Sequence, residues 1–211
     1  MPTSHPRRHF LGRAAAALAA LTTGIPSIAD AATVRELDDD DNDGWMKPLK
    51  GKHRQFFHTT AATETPMLMA SNYLDAYRDA FKAKDGDANA VVGMHGGGLA
   101  MGFNDAAWAK YAMGKGGSIN DPATKEPAVR NIFATGTPLA IDTLQKRGVV
   151  FLMCNTALRM RSRGFAAERG ETYDAVYADL SASRLPGVIL VPALVVAINR
   201  AQEAGFTYVR A

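Results

Sequence analysis

A single cysteine among 211 residues rules out any disulfide within the chain. No C-x-x-C, H-E-x-x-H or G-x-S-x-G occurs, which removes thioredoxin-type redox chemistry, zincin metal chemistry and the nucleophile elbow of α/β-hydrolases. Long apolar runs are also scarce. The most apolar stretch beyond the first thirty residues, Val188 to Ile198, is too short to span a bilayer and is broken by Pro192. Neither sign of charge dominates: 24 basic residues stand against 21 acidic ones, a formal net charge of +3, and no basic stripe suggests a nucleic-acid partner.

What the first residues hold is an address. Arg7-Arg8-His9-Phe10-Leu11 has the form of a twin-arginine export signal, followed by an Ala-rich apolar segment from Ala14 to Leu21. Ala29 and Ala31 place small residues for cleavage, so residues 1–31 are expected to be a signal peptide. Pro6 and Gly12 depart from the usual twin-arginine pattern, and a Sec signal is the alternative. Removing the segment leaves 21 basic against 20 acidic residues, and a length that suits one domain with a full core. The expected location is periplasmic, with no membrane attachment after cleavage.

Residues 32–52 read as an acidic arm. Asp39-x-Asp41-x-Asp43-Gly44 imitates an EF-hand loop, but its twelfth position is Lys50 where a bidentate Glu is required. A solvated acidic linker is the better reading.

From residue 53 onward, strand-like and helix-like segments alternate. Candidate strands are 53–60, 90–95, 149–154, 188–191 and 206–209. Between them, Thr65-Pro66 opens a helix whose Met67, Leu68, Tyr73, Leu74 and Tyr77 recur at helical spacing. Further helices are expected from Asn104-Asp105, over 138–147, from Asn155 to about Ser183, and after Pro192. In the last, Leu194, Val195, Ile198, Ala201 and Gln202 fall along one side. Residues 114–137, rich in Gly, Pro, Ser, Asn and Asp, form a long excursion of the kind that often carries function. Strand–helix–strand units of these lengths demand parallel crossovers. The fold class is therefore α/β, three layers α/β/α around a mostly parallel sheet.

Cys154 ends the apolar run Val149–Cys154, at the carboxyl edge of a strand, where open α/β sheets bind ligands. The helix opening at Asn155 and the nearby Arg159 and Arg161 favour a thiolate. The other reading is that Cys154 is a small core hydrophobe. His95 closes the second strand at the same edge and could exchange protons with the thiol. Gly96-Gly97-Gly98 follows it. Met101 stands where a dinucleotide fingerprint needs its third glycine, so the cluster is either a turn requiring positive φ or a small anion cradle. No motif calls for a cofactor, and the methionines near these residues read as core filler rather than metal ligands.

Three stretches, VVGMHGGGLAMGFND, GVVFLMCN and LPGVILVPALVVAINRAQEAGFTYV, resemble the DsrE/DsrF-like sulfur-relay family. The resemblance covers most of 53–210 and suggests the branch that carries twin-arginine signals. It implies a five-stranded, mostly parallel sheet, assembly into homo-oligomers such as trimers or hexamers, and a cysteine that receives sulfane sulfur as a persulfide and hands it to a protein partner. Cys154 matches that cysteine by position. Two functions follow as expectations. In one, Cys154 carries sulfur between a donor and an acceptor protein, with His95 moving protons and Asn155, Arg159 and Arg161 stabilising the anion. In the other, the fold is kept without the chemistry, Cys154 is buried, and a pocket formed by His95 and Gly96–Gly98 holds a small anion, a haem or a copper ion.

Overall fold

A computed structural model of the chain describes residues 42–211. The expected signal peptide, its cleavage site and the acidic half of the arm lie outside the described residues.

Five short runs make five parallel strands: β1 (His53–Thr59), β2 (Ala88–Met94), β3 (Val150–Cys154), β4 (Val188–Val191) and β5 (Thr207–Arg210). Their order in the sheet is β4-β3-β2-β1-β5. The central strands are buried on both faces, which is why β2 and β3 read as continuous apolar runs instead of alternating ones. The fold is the three-layer α/β/α arrangement, with every strand pair parallel.

Chain direction decides which face each helix covers. From β1 to β4 the sheet grows one way, so right-handed crossovers lay the intervening helices on one face. These are α1 (Thr65–Asp79), α2 (Asp105–Lys110), α3 (Met113–Gly117), α4 (Ile141–Lys146), α5 (Asn155–Arg169) and α6 (Tyr173–Ala182). The last crossover reverses, carrying the chain from one edge of the sheet to the other. It places α7 (Leu194–Glu203) on the opposite face. Phe57, Val92 and Phe151 share the first face, where Tyr73 of α1 meets Phe57 edge-on at 5.9 Å. Phe56, Gly93 and Leu152 lie on the α7 face, and Leu194 packs so close to Gly93 that a Cβ there would stand 3.0 Å from its methyl group.

Three expectations change. The arm does not stay solvated to residue 52: Trp45, in the 3-10 turn Gly44–Met46, and Leu49 are buried. Trp45 packs on Phe56 and Phe206 at 6.2 and 6.0 Å, because the single helix α7 leaves part of its face uncovered. Burying two such side chains favours docking by roughly 1.5–3 kcal/mol each. On α7 the buried stripe is Leu194, Ala197 and Ala201, while Val195 is 68 % exposed and Gln202 also faces solvent. The expected side holds at Leu194, Ile198 and Ala201 and fails at Val195 and Gln202, because the sheet selects a stripe turned toward Ala197. The expected helix over 138–147 begins only at Ile141, because Ala140 N–H and the Thr143 hydroxyl both bond the Thr137 carbonyl in a preceding turn.

The excursion is built into the domain. Asn120 bridges Pro127, and Ala128, Asn131 and Phe133 are buried. Asn131 donates to the carbonyls of Met101 and Phe103 at 2.8 and 2.7 Å and accepts from Phe133 N–H at 2.9 Å. Gly114 of α3 lies against the Ala128 backbone with no room for a side chain. The segment is thereby held as a wall beside the carboxyl edge of the sheet.

Candidate functional site

The carboxyl edge gathers the sequence-predicted residues but divides them between two faces and several partners. β2 and β3 are neighbours, and Met94 pairs with Met153, so His95 and Cys154 come next in line. No hydrogen bond joins them. Cys154 is 2 % exposed, and its Sγ accepts the Leu194 N–H of α7 at 3.3 Å. Next to it, Thr156 N–H and its hydroxyl both reach the Pro192 carbonyl, at 3.2 and 3.1 Å. β3 and β4 send their following helices to opposite faces, which is where an open sheet leaves a crevice. Here the Cys154 and Thr156 bonds close it.

His95 is half-buried, its ring 6.0 Å from that of His58 on β1. His58 exchanges a hydrogen bond with the Tyr208 hydroxyl through Nδ1 at 3.0 Å, while its Nε2 is buried without a partner. Burial first, then the charges of His95 and Arg210, hold its pKa below the ordinary histidine value of 6.5. Asn155 is engaged elsewhere, accepting from the Tyr177 hydroxyl at 2.8 Å, and Arg159 is exposed on α5.

The glycine cluster opens a 3-10 helix, Gly96–Gly102. Gly96 adopts φ +54°, the left-handed geometry expected of a tight turn. Gly98 N–H is taken by the Thr60 and His95 carbonyls at 3.2 and 2.9 Å, so it is not free to cradle an anion. Gly97 has a different setting.

Gly97 and Arg161 line a cleft of about 500 Å3 on the many-helix side of the carboxyl edge. That volume is ordinary for a small-ligand site. Its walls come from four separate segments. The 60–63 loop after β1 contributes Thr60, Ala61 and Thr63; the end of the 3-10 helix and α2 contribute Ala100, Phe103 and Tyr111. From α3 and the excursion come Met113, Gly117, Ser118 and Ile119, and Phe165 of α5 stands beside Arg161. Tyr111 is fixed by a 2.6 Å bond from its hydroxyl to Asp179 Oδ2, which Lys110 also binds at 2.9 Å. The Tyr111 hydroxyl and then Lys110 hold the Asp179 carboxyl below the usual carboxylate range, so the brace stays ionised at neutral pH.

Sequence reasoning named Gly97 and Arg161 of this cleft and missed the rest. Phe165, one helical turn after Arg161, and the apolar residues Met113 and Ile119 inside a polar stretch were the available signals. Among the described residues, no group of three or more His, Cys, Asp or Glu is placed to hold a metal ion, and no helix is long and apolar enough to cross a membrane. No protein-family model matches the chain, and no curated protein matches it. Among solved structures it is similar to a protein of unknown function, MTH1491 of Methanobacterium thermoautotrophicum. The identity is 19 %, covering 75 % of this chain and 99 % of that one, with a TM-score of 0.42, a likeness too distant to bear on function.

Proposed function

We propose that this chain is an exported small-ligand-binding protein of DsrE-like type, in which the cleft at the carboxyl edge of the sheet is the site and Cys154 is part of the structure. One observation carries this reading: Cys154 is 2 % exposed with its thiol bonded to Leu194 N–H, whereas Gly97 and Arg161 line an open cleft nearby. A sulfur carrier has to present its sulfur to two partner proteins, and a buried thiol cannot do so without opening the β3–β4 edge. Homo-oligomer assembly belongs to the same proposal. It is supported by Val195 and Val196 of α7, 68 % and 55 % exposed, and by the largely exposed edge strand β5.

The persulfide-carrier reading keeps one specific support. A backbone N–H aimed at Sγ, at the start of α5, would stabilise a thiolate or persulfide anion. Mass spectrometry of the protein purified without denaturant from its own compartment separates the two. Ligand binding predicts an unmodified chain that releases a small molecule on denaturation. A chain heavier by one sulfur atom, about 32 Da, with nothing released, supports the carrier.

A further inference from the structure

Among the described residues, Arg161 is the only charged side chain lining the cleft, and no carboxylate lines it. Its guanidinium lies over the Phe165 ring at 5.6 Å, and among the described residues it has no hydrogen bond or ion pair. Two other arginines of this face are paired instead: Arg147 is bound to Ser71 and Asp75, and Arg169 to Glu171. Arg161 is half-buried, and its guanidinium, set against Phe165 with no counter-charge, is available to pair with a ligand anion in the cleft.

The rest of the lining specifies what that anion is attached to. Phe103, Met113, Ile119 and Phe165 offer aromatic and aliphatic surface, and the polar additions are few hydroxyls, those of Thr60, Thr63 and Ser118, with that of Tyr111 committed to Asp179. Inorganic phosphate or sulfate would leave most of this surface unfilled and would meet a single cation. A flat carboxylate matches the arginine fork in two parallel hydrogen bonds and carries one charge to one charge. We infer that the cleft binds an organic monocarboxylate with an apolar body, an aryl or medium-chain acid, through Arg161. This rests on the ligand-binding reading above and gives that site its ligand class.

Isothermal titration of the full chain, processed as it is in the cell, tests this with 2-naphthoate and octanoate against their neutral amides and inorganic phosphate. The acids are expected to bind at least tenfold more tightly than the amides, the lower end for a charge-assisted pair. Arg161→Gln should abolish that difference. Arg159→Gln, which removes the same charge two residues away outside the cleft, should preserve it. Ala61→Phe should weaken acid and amide alike by filling the mouth. Amides binding as well as acids in the wild type, or phosphate binding as well as either acid, overturns the monocarboxylate assignment while ligand binding stands. Equal loss in Arg159→Gln and Arg161→Gln also overturns it, reducing the effect to net charge. No heat or melting shift from any probe at millimolar concentration overturns the ligand-binding reading itself. The wild-type comparison of acid with amide decides the matter even where a variant fails to fold.

Discussion

Replacing Asn131 with Ala removes the side chain that ties the excursion to the sheet edge. The residue is 3 % exposed, and three bonds disappear at once: two donated to the Met101 and Phe103 carbonyls and one accepted from Phe133 N–H. Each buried group left unsatisfied costs about 1–3 kcal/mol, with carbonyls at the low end because water or a second donor partly relieves them. The sum is about 3–5 kcal/mol, a large part of the ~5–15 kcal/mol that holds a domain of this size folded. In thermal unfolding followed by circular dichroism, that corresponds to a midpoint lowered by about 6–20 °C. Asn131→Asp keeps the acceptor for Phe133 but turns a carboxylate toward two carbonyl oxygens, so it should be at least as damaging. A loss below about 1 kcal/mol in Asn131→Ala would refute the view that this side chain fixes the cleft wall.

Gly114→Ala offers a test of sign. In an exposed helix the change stabilises by up to ~1 kcal/mol, but here the new methyl meets the Ala128 backbone, so denaturant unfolding should show a loss of about 1–3 kcal/mol. His58 should titrate by proton NMR below 6.5. Because the unfolded state then binds the proton first, stability is complete above pH 6.5 and declines as the pH falls through 6.5 toward the folded-state value, a slope that His58→Gln should reduce. Arg7→Lys with Arg8→Lys should trap precursor in the cytoplasm, since twin-arginine export reads the guanidinium pair; unchanged export would point to a Sec route.

How much of this was legible in the sequence follows the range of the contacts involved. β2, β3 and β4 could be read because each is a short apolar run between turn residues, and Cys154 and His95 fell at the carboxyl edge because strand ends are local features. The order of the strands could not be read: nothing near Thr207 says that β5 joins β1 at the edge opposite β4. The place of Trp45 depends on that order, since its partners Phe56 and Phe206 sit on β1 and just before β5. The cleft was the least visible feature. Thr60, Phe103, Ile119 and Phe165 span more than a hundred residues of sequence and meet only in the fold. The chemistry of Cys154 was open for a related reason: position at a helix start argued for a thiolate, and only α7 packing over it decides its exposure.

The most direct measurement is alkylation of Cys154 by iodoacetamide, followed by intact mass, in the folded protein and in denaturant. With Cys154 2 % exposed beneath α7, the folded protein should take up no adduct at pH 7, well below the free-thiol pKa of ~8.5, while the unfolded chain labels fully. Rapid, complete labelling of the folded protein at pH 7 would contradict the account and return Cys154 to the role of a reactive sulfur carrier.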